Sequence, residues 1–145
     1  MPRPLSTAER AELEVLARSL FDAVRAGEAE APGVFPSPAE LREVFGVREV
    51  GDAGSENLLV ARQRAAIVRD VRELRSVLAG AEYVGLAGPP RTTVDARRCG
   101  RFGVQAAPCA DGPVVEYRIG LETHRFRVDT LVRVGGRWRV FDLRF

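Results

Sequence analysis

At 145 residues the chain has the size of one domain, long enough to bury about two-thirds of its unfolded surface around a single core. With 46% hydrophobic and 29% charged residues, its composition is globular and excludes long disorder or a coiled coil. The balance of 22 basic against 20 acidic residues, net +2, argues against nucleic acid or anionic lipid as a partner, and no run of about 18 apolar residues is present to span a membrane.

Every basic residue is Arg, which reads either as a coding bias that also enriches Ala, Gly and Val, or as selection for bidentate anion contacts. The start, MPRPLSTAER, lacks the apolar stretch of a signal peptide. The expectation is a cytoplasmic protein if Met1 is native, and an exported one if a leader was removed. Cys99 and Cys109 would meet as a disulfide if the segment between them turns, or stay two buried thiols. With the single His124 they make too poor a ligand set for zinc, so neither a metal nor a cofactor is expected.

Ser6 and Glu9 form a capping box ahead of Leu13, Leu16, Ala17, Leu20, Phe21 and Val24, the stripe of a helix buried on one side, and Gly27 stops it. Ser37-Pro38-Ala39-Glu40 starts a short second helix with Leu41, Val44 and Phe45 inward. Residues 56 to about 79 predict the longest helix, with Val60, Ile67, Val71, Leu74 and Leu78 on one stripe. A short strand over 47–50 has too brief a signal to insist upon.

From Glu82 the pattern changes to strands. AEYVGLAG comes first, then RTTVDARR and RFGVQAAP, then a turn at ADG (110–112), then a meander of PVVEYRIGLE, HRFRVDTLVRV and RWRVFDLRF. Gly135-Gly136 suits a two-residue hairpin turn, pairing Val132 with Arg139, Thr130 with Phe141 and Val128 with Leu143. A turn at Thr123-His124 would pair Ile119 with Val128 and Tyr117 with Thr130.

These registers place Val115, Tyr117, Ile119, Leu121, Phe126, Val128, Val132, Phe141, Leu143 and Phe145 on the face that covers the helices. On the opposite face lie Glu116, Arg118, Arg127, Asp129, Arg133, Asp142 and Arg144, with Leu131, Trp138 and Val140 as an apolar patch. Arg118, Asp129 and Asp142 fall in one row. That row reads as a solvent-exposed ion ladder, or as close carboxylates with one raised pKa that serve an acid/base or ligand-binding role. The Trp138 patch reads as an interface, unless a bulge turns Trp138 into the core.

Three helices followed by a meander closing on Gly135, Gly136, Trp138, Val140 and Asp142 resemble the NTF2-like superfamily. The resemblance implies a cystatin-like cone of helices wrapped by a bent sheet, a pocket at its open end, and dimerisation through the sheet's outer face. It does not fix a function, because members include isomerases, dehydratases, hydrolases, binders and scaffolds.

For chemistry, Tyr117 on the inner face and Tyr83 are the candidates to line a ligand pocket, each also readable as a buried tyrosine with a satisfied hydroxyl. His124 falls in a turn with no partner for general-base work. Arg97, Arg98 and Arg101 beside Phe102 form either an anion-binding cluster or a solvated basic loop. No catalytic residue emerges. The expectation is one α+β domain, a non-catalytic module that binds a partner protein or small apolar ligand and forms a homodimer. An isomerase or hydrolase and an Arg-mediated binder of acidic polymers are the alternatives.

Overall fold

A computed structural model describes residues 6–46, 55–87 and 108–144, with the backbone alone at 55–57. Arg97, Arg98, Arg101, Cys99, Phe145, the strand at 47–50 and, apart from Pro108, the strands expected over 91–98 and 101–108 lie outside the described residues. Three helices, α1 (Thr7–Ala26), α2 (Pro38–Val44) and α3 (Ser55–Val77), precede five strands: β1 (Glu82–Leu86), β2 (Cys109–Asp111), β3 (Val114–Ile119), β4 (Glu122–Val134) and β5 (Arg137–Arg144). The strands form one antiparallel sheet, so the fold is α+β.

The helices begin where their sequences say they should. Ser6 and Ser37 each accept a hydrogen bond from the backbone of the glutamate three residues on, and the Glu9 and Glu40 carboxylates accept in turn from the serine amides, satisfying donors that a helix start leaves open. The expected apolar stripes of all three helices are buried.

Long β4 organises the sheet. On one side it pairs with β2 and β3 in a single unbroken register, Asp111 opposite Thr130 and Val114 opposite Arg127. Residues 110–112 are therefore no turn: Ala110 and Asp111 lie in β2, and Gly112-Pro113 carry the same line into β3. A side chain at Gly112 would place its Cβ 2.2 Å from the Val128 carbonyl oxygen, so only glycine lets β4 come this close.

The β3–β4 turn falls at Gly120-Leu121, with Ile119 opposite Glu122 and Tyr117 opposite His124, and not at Thr123-His124. His124 is thus a strand residue. The slide from Thr130 to His124 as partner of Tyr117 is an even number of residues, so Val115, Tyr117, Phe126 and Val128 keep the expected inward face. Ile119 and Leu121 do not: they are 37% and 100% exposed at the hairpin tip.

The Gly135-Gly136 turn forms with φ of 58° and 76°, as a type I′ hairpin requires, and pairs Val132 with Arg139 and Leu131 with Val140. Two irregularities follow: Thr130 meets Asp142 instead of Phe141, and Val128 again meets Leu143. One extra residue on each strand, Phe141 and Asp129, reverses the facing of the hairpin end relative to the rest of the sheet. Leu131, Trp138 and Val140 consequently turn inward with Val115, Phe126 and Val128, and are 0%, 2% and 0% exposed. The exposed apolar patch read as an interface does not exist; the alternative holds, a bulge that turns Trp138 into the core, because the paired bulges place these three residues against α1 and α3. Val132, Val134 and Phe141 face the other way and build a second cluster with Cys109, Val60 and Leu41, Val44 and Phe45 of α2.

The outer edge of β5 is closed by the helical layer. The Trp138 amide donates to Glu12 of α1 at 3.1 Å, the Val140 amide to the Val34 carbonyl at 2.8 Å, and the Phe141 carbonyl accepts from Gln63 of α3 at 2.6 Å. The Leu143 amide donates to Asp70 of α3. An edge strand so covered offers little to another chain's strand.

Candidate functional site

The two tyrosines singled out from the sequence become neighbours. Tyr83 on β1 lies opposite Tyr117 on β3, and Tyr117 lies opposite His124 on β4. Tyr117 is buried in the core and stacks on the His124 ring at 5.5 Å. Tyr83 packs against Phe21 of α1 at 5.5 Å with the Arg18 guanidinium 5.0 Å above its ring, and it borders an open cleft of about 540 Å³ beside Glu14, Val15, Val84 and Leu86. Burial raises the pKa of both hydroxyls, and at Tyr83 the Glu14 charge adds to the rise while Arg18 opposes it. Both rings serve packing first, and Tyr83 alone reaches a cleft.

The expected row of Arg118, Asp129 and Asp142 is broken. Arg118 lies opposite Thr123 and Glu82, Asp142 opposite Thr130, and Asp129 occupies the bulge, only 7% exposed. A solvent-exposed ladder is therefore excluded. Instead Asp142 faces the α3–β5 junction near Asp70, whose own pKa is raised by burial and drawn down by the Leu143 amide and Arg69. Burial lifts the Asp142 pKa to about 6, the Thr130 hydroxyl and amide oppose the rise, and the charges of Asp129 and Asp70 add to it. Asp70 carries no sequence signal beyond one polar position on the inward side of α3. Among the described residues no group of three His, Cys, Asp or Glu side chains could hold a metal ion.

Cys109 is buried in the second cluster and disulfide-bonded. Cys99 lies outside the described residues. No helix among the described residues is long and apolar enough to cross a membrane.

The most enclosed cavity described lies where the sequence drew no attention. The loop after α1, the start of α2 and the middle of α3 surround about 320 Å³, within the small-molecule range. Phe35, Ile67 and Val68 form an apolar wall, and Glu30, Arg64 and Glu40 stand at its rim. Arg64, Ile67 and Val68 share one face of α3 by i, i+3, i+4 spacing. Arg64 pairs with Glu30 across the opening. Glu40 has both oxygens engaged, one accepting from the Ser37 amide at 3.0 Å and the other 3.4 Å from Arg139.

Compared with protein-family models, curated proteins and solved structures, the chain matches none.

Proposed function

We propose that this is a non-catalytic binding domain of NTF2-like architecture, and that it takes a small, largely apolar ligand, or an apolar group of a partner protein, in the cavity between the Pro-rich loop and α3. Supporting the architecture are three helices preceding a single antiparallel sheet, with α1 and α3 on its bulged inner side. One observation carries the functional reading. The described inner side of the sheet is packed with Leu13, Leu20, Phe21, Leu74, Leu131 and Trp138, while the cavity at the edge of this core sets its Phe35 and Ile67, with Val68, beside the charged Glu30, Arg64 and Glu40, the composition of a ligand site. Dimerisation through Trp138, Leu131 and Val140 is not carried forward, since those side chains are buried within one chain.

The test is to fill the cavity. Val68 is 42% exposed, so Val68→Trp can project into the space without disturbing the core. The variant should keep the wild-type unfolding midpoint and lose binding of a naphthalene-based fluorophore; undiminished binding would refute the assignment.

Asp142 favours a second reading, proton transfer, because a carboxyl with a pKa of about 6 suits general acid–base work near neutrality. Neither the cavity nor the Tyr83 cleft reaches it. A substrate analogue that shifts the Asp142 carboxyl resonance would favour this reading over the first.

A further inference from the structure

We infer that the ligand of this cavity is a small amphipathic anion, an apolar body carrying a carboxylate, with Arg64 as its receptor; this rests on the binding reading above. Three observations select an anion over a cation or a neutral molecule.

Arg64 is fixed on α3, one turn from Ile67 and Val68, so its guanidinium stands beside the apolar wall and not at an arbitrary surface point. Among the described residues, Glu30 engages only one of its nitrogens, Nη2. A planar guanidinium offers a carboxylate two parallel hydrogen bonds.

The resident counter-ion is easily displaced. The Glu30 side chain is 75% exposed, and such surface ion pairs contribute only about 0–1 kcal/mol. A ligand whose body already sits against Phe35 and Ile67 presents its carboxylate to Arg64 at high effective concentration, matching the tethered Glu30 and adding the burial of its own apolar body. Glu30 then swings into solvent, where it is fully hydrated.

A cationic head group finds no matching anion. Glu40 is already engaged by the Ser37 amide and Arg139, and Glu30 is a weaker anchor than Arg64, its side chain being 75% exposed against 46% for Arg64. The space, on the order of ten water volumes, suits a compact body with one head group better than a polymer.

The experiment compares 4-phenylbutanoate with its uncharged amide and with 4-phenylbutylamine by isothermal titration calorimetry, on the wild-type chain and on Arg64→Gln and Glu30→Gln. Both substitutions are at exposed side chains and leave the core untouched. The carboxylate should bind about tenfold more tightly than the amide. Arg64→Gln should erase that preference, bringing carboxylate affinity down to that of the amide. Glu30→Gln should strengthen carboxylate binding about two- to fivefold by removing the competitor, and added salt should weaken it. Equal binding of carboxylate and amide, or tighter binding of the amine, would overturn the anion assignment and leave the cavity reading standing. Absence of binding by all three would overturn both.

Discussion

The backbone amide of Trp138, in the last strand, donates to the carboxylate of Glu12, on the first helix, at 3.1 Å. The other Glu12 oxygen lies 3.8 Å from Arg133, whose guanidinium sits 5.1 Å above the Trp138 ring. One glutamate thus ties the chain's beginning to its end and satisfies an edge-strand donor that would otherwise be stranded. Glu12→Ala should cost about 1–3 kcal/mol, the penalty of an unsatisfied buried donor. Glu12→Gln, which keeps an acceptor, should cost less than half of that. Urea denaturation of the two variants checks the ordering.

Trp138 is the chain's one tryptophan and is 2% exposed. Its fluorescence should be blue-shifted in the folded protein and move red on unfolding. Trp138→Ala should destabilise by about 3–5 kcal/mol without changing the oligomeric state. A variant that stays fully stable and changes only its light-scattering mass would return Trp138 to the surface.

Asp142 makes stability depend on pH in a direction opposite to most carboxylates. Its pKa rises from 3.8 to about 6 on folding, so the folded state holds a proton that the unfolded state has released. The group's stabilising contribution is complete below pH 3.8 and is lost as pH rises through about 6. Asp142→Asn should therefore be more stable than wild type at pH 7.5 by about 1–2 kcal/mol, the shift discounted for partial exposure. That gain should vanish toward pH 4, as paired urea titrations at the two pH values would show.

Gly112 allows β2 and β3 to run past β4 as one line. Gly112→Ala would bring a methyl carbon to 2.2 Å from the Val128 carbonyl oxygen, and overpacking against backbone costs about 1–3 kcal/mol or more. The thermal midpoint should fall well below that of Val15→Ala, an exposed helical control.

The helices were legible because their signals are local. Ser6 with Glu9 and Ser37 with Glu40 are capping chemistry within one turn, and the stripe from Leu13 to Val24 is a period that any buried helix face shows. Gly135-Gly136 was legible for the same reason. The β3–β4 register was not, because Thr123-His124 and Gly120-Leu121 both separate alternating runs; only the left-handed backbone at Gly120, φ 61°, distinguishes the true turn. The facing of Trp138 was lost at Asp129 and Phe141, since a bulge shifts periodicity by one residue with no compositional mark. Tyr83 and Tyr117 were found by type and brought together by pairing. The cavity at Arg64 was invisible because its walls come from segments whose meeting is set by tertiary packing alone.

Under the proposed function, a ligand enters the cavity beside Arg64. The most direct measurement is chemical-shift mapping by two-dimensional NMR during titration with a small aromatic carboxylate. The shifts should concentrate on Phe35, Arg64, Ile67 and Val68 and saturate together. Shifts centred instead on Tyr83 and Val84, or on Asp70 and Asp142, with the Pro-rich loop unmoved, would contradict it.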